Sequence, residues 1–486
     1  MTLKLKDPSL LETRGYINGE WVSGETTFPV TNPATGEVIA EVADLGVSHI
    51  RTAIDAAEAA RHEWAAGTGK ERSAVLRKLY ELMVANVDDL GAIITAEMGK
   101  PLAEAKGEIL YGASYVEWFA EEAKRIYGET IPGHQRDKRI VVIKQPVGVV
   151  GAITPWNFPN AMLARKIAPA LAVGCSVVSR PANLTPLSAL ALAVLAERAG
   201  LPAGLLNVVP GAAPEEVGKE LCANPKVKKI TFTGSTRVGS ILMAQCAPGI
   251  KKLSLELGGN APFIVFEDAD LEAAADGAII AKFRNSGQTC VCANRLYVHD
   301  AVYDAFVAKL QDRLARMKLG NGMEPDVVLG PLISDSALRK VEHHLQDALS
   351  KGALVVTGGR RSPHLGGTFF EPTILTEVTP EMRVSHEETF GPLAPVIRFK
   401  DEAEVLAMAN DTEFGLAGYF FSQDINRIWR VAEKLETGMV GINTGLISTE
   451  VAPFGGVKSS GVGREGSHHG CKDYLEMKYL CFGNVG

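Results

Sequence analysis

Apolar residues recur at helical spacing through much of the first 130 residues, after an opening of short apolar runs separated by turn signals. Alanine-rich stretches with this spacing predict helices over residues 47–64, 70–98 and 102–127. Residues 139–150 alternate charged side chains with valine, which predicts an extended ribbon with one exposed face. The first part of the chain is therefore predicted to be largely helical and to end in a ribbon.

From residue 147 onward, short apolar runs alternate with segments of helical length. This alternation predicts right-handed βαβ units and a doubly wound parallel sheet, which binds ligands beyond the carboxyl ends of its strands. A second α/β run covers residues 262–451, and residues 473–482 have the content of a final strand. The predicted elements of the first run are strands over 148–154, 176–179, 206–209 and 229–233 and helices over 161–172, 186–199 and 215–222.

Composition narrows the class of protein. The chain has 486 residues, of which 46% are hydrophobic and 22% charged, and its net charge is −7. This is an ordinary globular composition, and the mildly acidic mixture of charges argues against a nucleic-acid-binding surface. The N-terminus lacks the apolar core of a secretion signal, and the longest apolar stretch, residues 187–196, is too short to span a bilayer. We therefore expect a soluble, cytoplasmic protein with no membrane or nucleic-acid partner.

The seven cysteines are too few and too scattered for a disulfide framework. Cys290 and Cys292 form a Cys-Val-Cys pair in a polar, glycine-containing turn. No second Cys or His cluster at ligand spacing accompanies them, so a metal site is not expected. The isolated cysteines are expected to be mostly inert core residues: Cys175, Cys222, Cys246, Cys471 and Cys481.

Two short motifs carry a nucleophile and a carboxylate. Asn-Ser-Gly-Gln-Thr-Cys ends at Cys290, in a polar turn whose backbone N–H groups could stabilise a thiolate or an oxyanion. Leu-Glu-Leu-Gly-Gly-Asn places Glu256 at the end of an alternating strand, where a carboxylate can serve as a general base. Each motif also has a plain structural interpretation: a surface cysteine in a loop, and a charge at a strand end.

Two further motifs follow predicted strands. Pro-Trp-Asn-Phe-Pro holds Asn157 between two prolines, where its amide could donate to an oxyanion, although the motif could equally be an ordinary buried turn. Phe-Thr-Gly-Ser-Thr-Arg-Val-Gly, which begins at Phe232, could bring a helix N-terminus to a pyrophosphate. It lacks the strict dinucleotide-binding pattern and is weak by itself.

In this order and at these spacings, the four motifs resemble the aldehyde dehydrogenase superfamily. The resemblance begins at Tyr-Ile-Asn-Gly near Tyr16, includes Glu-Glu-Thr-Phe-Gly-Pro at 387–392, and reaches Pro-Phe-Gly-Gly-Val-Lys-Ser-Ser-Gly at 453–461. It implies an α/β, aldehyde-dehydrogenase-like fold with three parts. These are a doubly wound cofactor-binding domain (1–127 and 149–258), an α/β catalytic domain (259–470) and a small β oligomerisation element (128–148 and 471–486).

The resemblance implies a cysteine-dependent oxidation. Cys290 attacks the aldehyde carbonyl, Asn157 and the Cys290 N–H hold the oxyanion, a nicotinamide cofactor takes the hydride, and Glu256 activates the water that hydrolyses the acyl thioester. A simple thiol hydrolase would not need the nucleotide-binding domain, and a non-catalytic scaffold would tolerate loss of these three residues. The presence of Glu256 also disfavours the coenzyme-A-acylating branch. The implied cofactor-binding residues are Thr154, Pro155, Trp156, Lys166, Arg180, Asn183, Gly234, Ser235, Glu388 and Phe390.

The expected cofactor is NADP, with NAD as the alternative. The family usually has lysine where this chain has Arg180, and its NAD-preferring members often have glutamate where this chain has Asn183. Asn183 removes a charge that would repel a 2′-phosphate, and Arg180 offers a planar fork suited to one. The alternative is that Arg180 holds only ribose hydroxyls.

Arg165, Arg284 and Ser448 resemble the residues that grip the substrate carboxylate in the succinate-semialdehyde dehydrogenase branch. A guanidinium beside an apolar tunnel is costly unless an anion neutralises it. The alternative is an ion pair with an acidic residue. The expected substrate is succinate semialdehyde, and glutarate or 2-oxoglutarate semialdehyde are longer acids that the same residues could accept.

Two further expectations come from the resemblance. The 139–150 ribbon and the 473–482 strand exchange edges between subunits of a homodimer or homotetramer, because an exposed strand edge otherwise invites aggregation. Some members of the same branch use a cysteine at the position of Cys292 to form a reversible disulfide with the nucleophile. Cys292 is therefore a candidate redox switch, and the alternative is that it is simply packed.

Overall fold

The computed structural model describes residues 3–485 and opens with short strands followed by a layer of helices. The strands up to residue 256 are β1 (Gly15–Ile17), β2 (Glu20–Val22), β3 (Thr26–Thr31), β4 (Val38–Asp44), β5 (Glu129–Ile131), β6 (Arg139–Pro146), β7 (Val149–Ile153), β8 (Ser176–Arg180), β9 (Leu206–Val208), β10 (Val227–Thr233) and β11 (Lys252–Glu256). The helices of the same part are α1 (Val47–Ala66), α2 (Gly69–Ala85), α3 (Val87–Met98), α4 (Leu102–Glu122), α5 (Pro159–Val173), α6 (Leu187–Arg198), α7 (Pro214–Ala223) and α8 (Thr236–Cys246).

The second part of the chain repeats the alternation of strands and helices. Its strands are β12 (Ala261–Val265), β13 (Ala293–His299), β14 (Leu354–Thr357), β15 (Thr373–Thr376), β16 (Leu393–Phe399), β17 (Phe414–Gly415), β18 (Ala417–Phe421), β19 (Met439–Ile442), β20 (Val457–Lys458), β21 (Gly461–Val462) and β22 (Leu475–Phe482). Its helices are α9 (Leu271–Phe283), α10 (Tyr303–Leu314), α11 (Asp335–Ser350), α12 (Arg383–His386), α13 (Glu402–Asn410) and α14 (Ile425–Lys434).

Two predicted helices have different bounds from those expected. The 70–98 segment is not one helix, because Asn86 ends α2 and its Nδ2 donates to Leu82 O at 2.8 Å before α3 begins. The 102–127 segment is helical only as far as Glu122, where Arg125 N donates to Glu122 O in a closing turn. In both places a hydrogen bond to a helix carbonyl ends the helix although the apolar spacing continues.

The first sheet has eight strands in the order β2-β1-β9-β8-β7-β10-β11-β21, and the five strands from β9 to β11 are parallel. Adjacent side chains of its strands enter two different cores. Val149 packs in the cluster that holds α1 and α7, and Val150 packs in the cluster that holds α5 and α6. Helices therefore cover both faces, as the alternating pattern predicted. Parallel pairing brings the ends of β7, β10 and β11 to one edge, where Thr233 is paired with Glu256.

The second sheet has seven strands in the order β14-β15-β16-β13-β12-β18-β19, all parallel except β14. Phe263 and Val265 pack against α9 and α10, while Ile264 and Phe266 pack against α11 and α13. Like the first sheet, this one is buried on both faces. The Cys290 loop lies between the end of α9 and the start of β13.

A third, smaller sheet joins the ribbon to the C-terminal strand. The ribbon ends at Pro146, and Gly148, at φ 120°, separates it from β7. β22 lies antiparallel to β6, and β6 also pairs with β5. The two segments that were expected to exchange edges between subunits thus pair with each other within this chain. Met477 and Tyr479 project from β22 and are 73% and 59% exposed.

Four of the five isolated cysteines are buried as expected, but Cys481 on β22 is exposed. Among residues 3–485, no helix is long and apolar enough to cross a membrane. Over the same residues, no three His, Cys, Asp or Glu side chains are grouped as a metal site would require.

Candidate active site

The carboxyl edge of the first sheet and the loop before β13 enclose a cavity of about 420 Å³. Most of the residues selected from the sequence contribute to its wall: Pro155, Trp156, Asn157, Arg165, Gly234, Ser235, Glu256, Arg284, Cys290, Glu388, Phe390 and Ser448. Five others do not line it: Thr154, Lys166, Arg180, Asn183 and Cys292. The cavity therefore brings together the cysteine, the carboxylate and the amide that three separate motifs supplied.

The loop that carries Cys290 has an unusual backbone. Asn285, Ser286 and Gly287 all have positive φ, at 52°, 56° and 77°. A side chain on Gly287 would overlap with the carbonyl of Gly391, so only glycine fits there. Asn285 and Ser286 keep this strained backbone conformation because the surrounding structure holds them in place.

Hydrogen bonds to two other segments fix the same loop. Asn285 N donates to Glu104 Oε2 at 2.8 Å, and Ser286 Oγ donates to Gly330 O at 2.8 Å. Gln288 Oε1 accepts from Ile333 N at 2.9 Å. These contacts explain why the polar residues of the motif are needed: they anchor the turn that presents the Cys290 thiol. Burial raises the pKa of that thiol to about 12, and the neighbouring Arg165 opposes the rise.

Asn157 is oriented by hydrogen bonds on both its side chain and its backbone. Its Nδ2 donates to Gln288 O at 3.0 Å, which occupies one amide hydrogen and leaves the second for a ligand. Its carbonyl accepts from Lys100 Nζ at 2.7 Å and from Asn285 Nδ2 at 3.2 Å. The buried Lys100 in turn pairs with Glu108 at 2.6 Å. Sequence reasoning missed this supporting pair, because neither Lys100, in the turn between α3 and α4, nor Glu108, in α4, gave a sign of facing the cavity.

Glu256 and Glu465 are buried carboxylates in opposite electrostatic situations. Burial, with the charge of Glu465, raises the pKa of Glu256 well above its usual value, and Glu256 Oε2 has no hydrogen-bond partner. Burial also acts on Glu465, but Lys166 and Arg165 outweigh it and lower the pKa of Glu465. Two carboxylates whose pKa values are pushed apart are typical of a site where one holds charge and the other exchanges a proton.

Glu465 forms ion pairs with both charged residues of α5, Arg165 and Lys166. Arg165 Nη2 lies 2.6 Å from Glu465 Oε2, and Lys166 Nζ lies 2.6 Å from Glu465 Oε1 and 2.6 Å from Thr233 Oγ1. Arg165 therefore does form the ion pair with an acidic residue that was the alternative interpretation, although it also lines the cavity. Lys166 contacts Glu465 and does not line the cavity. Glu465 lies in the sequence Gly-Arg-Glu-Gly, and an acidic residue near glycines was the available sign of a special role. Its partner Lys166 is 299 positions away, so the pairing itself could not be predicted.

The far end of the cavity is aromatic and cationic. The guanidinium of Arg165 lies 4.0 Å from the centre of the Phe454 ring, and its Nη1 donates to Tyr111 Oη at 3.2 Å. Arg284 lies 5.4 Å from the centre of the Phe158 ring. Within residues 3–485, Arg284 makes no ion pair with a carboxylate, so its guanidinium remains open to an anion in the cavity.

Glu388 and Phe390 lie at the other end of the cavity, near α8. Glu388 Oε1 accepts from Gly259 N at 3.2 Å, and burial raises the pKa of Glu388 to about 7. The Phe390 ring meets the Trp156 ring edge-on at 5.5 Å. Ser235 caps the N-terminus of α8, where its Oγ accepts from Val238 N at 3.4 Å. A helix N-terminus, a carboxylate and an aromatic pair are the groups that pyrophosphate, ribose and a nicotinamide ring would contact.

Arg180 lies just outside this end, at the carboxyl end of β8. Its carbonyl accepts from Thr154 N at 3.3 Å, and its Nη2 donates to Gly211 O at 3.0 Å. The Nε is buried without a hydrogen-bond partner, and burial lowers the pKa of the guanidinium to about 10, so it stays cationic at neutral pH. An unpartnered donor on a buried cation fits an anionic group of a bound cofactor. Asn183 is half-buried a few residues further on.

The chain belongs to the aldehyde dehydrogenase family, whose sequence model matches residues 21–480. It is 63% identical to the glutarate-semialdehyde dehydrogenase of Pseudomonas aeruginosa, over 99% of this chain and 100% of that protein. It is 60% identical to the NADP(+) succinate-semialdehyde dehydrogenase of Escherichia coli, again over 99% of this chain and 100% of that protein. The crystal structure of succinate-semialdehyde dehydrogenase from Burkholderia pseudomallei matches with a TM-score of 0.98 at 60% identity, covering 99% of this chain and 100% of that one. The predicted family and α/β fold class are confirmed.

Proposed function

We propose that this protein oxidises a short aldehyde with a carboxylate at its far end, succinate or glutarate semialdehyde, to the dicarboxylate. The observation that carries the proposal is that one cavity is lined by Cys290, Glu256, the open arginine Arg284 and the N-cap residue of α8, Ser235. The names of the relatives support the same substrates. 2-Oxoglutarate semialdehyde remains the alternative substrate.

Cys290 acts as the nucleophile. Its raised pKa means that the thiol must lose its proton before attack, and Glu256, with a raised pKa and an unpartnered oxygen, is the base in reach of the same cavity. Sulfur then bonds to the aldehyde carbon. The free hydrogen of the Asn157 amide and the backbone N–H of Cys290 stabilise the oxyanion that forms.

The donor set at the α8 end fits NADP or NAD. Gly234 and Ser235 would hold the pyrophosphate, Glu388 the ribose hydroxyls, and Trp156 and Phe390 the ring. The chemistry that the bound cofactor supplies is acceptance of a hydride from the carbon attached to Cys290, which converts the adduct to an acyl thioester. After Glu256 has passed the thiol proton to solvent, it takes a proton from water, the water oxygen attacks the thioester carbon, and the carbon–sulfur bond breaks to release the acid and the Cys290 thiolate.

We propose NADP as the preferred cofactor. Arg180 supports this choice because its buried Nε has no protein partner, and the Escherichia coli relative is named for NADP(+). Thr154 and Asn183, which lie near Arg180 in the fold or in the sequence, are proposed to contact the same part of the cofactor. Lys166, which pairs with Glu465, keeps only an indirect role, since it holds Glu465 in its charged form.

Arg284 is proposed as the main anchor of the substrate carboxylate, with Ser448 and Arg165 beside it. Among residues 3–485 no carboxylate forms an ion pair with Arg284, although its charge opposes the rise in the pKa of Glu104, whereas Arg165 is already paired with Glu465. Tyr111, whose Oη accepts from Arg165 Nη1, adds a hydroxyl to the same end.

The domain division, assembly and compartment are also proposals. We infer a cofactor-binding domain of 1–127 and 149–258, a catalytic domain of 259–470, and an oligomerisation element of 128–148 and 471–486. The exposed Met477 and Tyr479 on the third sheet support a homodimer or homotetramer through that element, and we propose a cytoplasmic location. We also propose that Cys292 is a redox-sensitive residue, and a reversible disulfide with Cys290 is one of two products that its oxidation could give.

Two variants test the chemistry. Cys290→Ala is expected to abolish oxidation of succinate semialdehyde while NADP still binds, as measured by fluorescence titration. Glu256→Ala is expected to slow the release of acid more than the first turnover, so a rapid burst of reduced cofactor precedes a slow steady state. Substantial steady-state turnover by Cys290→Ala would refute the mechanism and leave a binding protein derived from an enzyme as the better account.

A further inference from the structure

A buried lysine and a buried cysteine face each other behind the Cys290 loop. Lys282, in the last turn of α9, is fully buried, and Cys292, immediately before β13, is 2% exposed. Lys282 Nζ lies 3.4 Å from Cys292 Sγ and 3.3 Å from Asn294 Oδ1. The thiol also lies 3.5 Å from the carbonyl oxygen of Lys282. The amine and the thiol are therefore held in contact and away from the cavity wall.

The environment of Lys282 differs from that of the other buried lysines beside the active site. Lys100 and Lys166 each pair with a carboxylate, Glu108 and Glu465. Lys282 has no carboxylate in an ion pair within residues 3–485, and its side-chain partners there are the thiol and an amide oxygen. A buried amine is costly unless it has partners, and here the charge of Glu388 acts on Lys282 only from beyond ion-pair distance, so the thiol is one of the two side chains in direct contact with the amine.

We propose that Lys282 and Cys292 form a modification site at which peroxide joins Nζ and Sγ through a single oxygen atom, giving an N–O–S cross-link. In the first step one peroxide oxidises the Cys292 thiol to a sulfenic acid and releases water. In the second step the sulfenic hydroxyl and the Lys282 amine each lose a hydrogen, an N–O bond forms, and a second peroxide takes the two electrons and is released as two waters. In total, thiol, amine and two peroxides give the cross-link and three waters, with two electrons taken from sulfur and two from nitrogen.

The direct contact between Cys292 and the amine leads us to propose this product instead of a disulfide with Cys290. An oxygen added to Cys292 Sγ forms on an atom that already contacts the amine, whereas Cys290 lines the cavity and Cys292 does not. The cross-link would tie the end of α9 to the start of β13, the two elements that flank the Cys290 loop. Oxidation would thereby restrain that loop without consuming Cys290. The inference stands on the Lys282–Cys292 contact and does not depend on the substrate or cofactor proposed above.

Peptide mapping of the full-length protein tests the cross-link. The protein is treated with hydrogen peroxide, its free thiols are alkylated, and it is digested with trypsin. Trypsin cleaves after Lys282 in the untreated protein and yields residues 253–282 and 285–295 as separate peptides. The expected product is residues 253–284 joined to 285–295, uncleaved at Lys282, one oxygen heavier and two hydrogens lighter than the sum of the two. Treatment with dithiothreitol should restore the 253–282 peptide.

Two variants provide matched controls. Cys290→Ser should give the same cross-link as the parent protein, because Cys290 takes no part in it. Lys282→Met, which keeps an unbranched stem but no amine, should lose it completely. A 285–295 peptide that is two hydrogens lighter with normal cleavage at Lys282 would show a Cys290–Cys292 disulfide and overturn the proposal, as would a Cys292 that gains two oxygens while Lys282 is cleaved normally. If Lys282→Met fails to fold, the maps of the parent and Cys290→Ser still decide between these products.

Discussion

Replacing Arg284 by glutamine tests which arginine anchors the substrate. The variant keeps most of the side-chain stem and an amide but removes the guanidinium that lines the cavity without a carboxylate partner. If this group binds the substrate carboxylate, the variant loses charge-assisted hydrogen bonds worth about 1.5–3 kcal/mol. That loss corresponds to a fall of roughly 10- to 150-fold in kcat/KM for succinate semialdehyde.

A neutral aldehyde provides the internal control. Butanal has a carbon chain of the same length but no carboxylate, so its kcat/KM should change little in Arg284→Gln. The assay is initial-rate kinetics with both aldehydes at saturating NADP, read from the absorbance of the reduced cofactor. Equal losses for the two aldehydes would refute the reasoning, because they would show that Arg284 supports the active-site loop instead of binding the carboxylate.

Arg165→Gln is the matched comparison, and it should behave differently. This change removes one of the two cations that hold Glu465, and breaking a buried ion pair costs about 3–5 kcal/mol. The melting temperature should fall, and both aldehydes should lose activity, because Glu256 loses the nearby positive charge of Arg165 while Glu465, now held by Lys166 alone, still raises the pKa of Glu256. If Arg165→Gln instead lowered kcat/KM for succinate semialdehyde and not for butanal, Arg165 would be the residue that binds the substrate carboxylate.

Three other outcomes are expected. Arg180→Ala should lower kcat/KM for NADP more than for NAD, by about 1–3 kcal/mol, and equal losses would mean that Arg180 does not contact the 2′-phosphate. Because burial raises the pKa of the Cys290 thiol from its ordinary value to about 12, the thiol form predominates at neutral pH. Alkylation of Cys290 by iodoacetamide in the cofactor-free protein should therefore rise roughly tenfold per pH unit above pH 7, and a plateau near pH 8 would contradict this pKa. Gly287→Ala should reduce the free energy of unfolding by about 2 kcal/mol or more in urea titration, since its φ is 77° and the new methyl group would overlap with the Gly391 carbonyl. An unchanged midpoint would show that the loop can relax.

The elements that the sequence predicted well are those whose pattern is local. Buried runs such as 176–179 and 229–233 are strands in the structure because their apolar side chains face two helical layers at once. The helix predicted over 70–98 was wrong because spacing alone does not reveal where a hydrogen bond ends a helix. Asn86, a residue that often ends or begins helices, was the available signal.

The same contrast holds for the candidate site: residues in short motifs could be predicted from the sequence, whereas contacts between distant segments could not. Cys290, Glu256 and Asn157 each sit in a short motif with its own turn chemistry, and all three reach the cavity. The partner of Arg165 could not be read locally, because an ion pair depends on which distant segment folds against it. Glu465 comes from a loop near the C-terminus, and only the assembled fold brings its carboxylate between Arg165 and Lys166.

The short strand β21 has a mechanical consequence. It belongs to the chain that follows the second sheet, yet it pairs antiparallel with β11 at the edge of the first, with Gly461 opposite Glu256. The strand that carries Glu256 is thus held by a segment from the other half of the molecule. β11 pairs with β10 on one side and with β21 on the other, so unfolding of either half removes one of its two neighbours. We therefore expect a partly unfolded molecule to be inactive. Catalysis and global folding should therefore be lost together, as a single event.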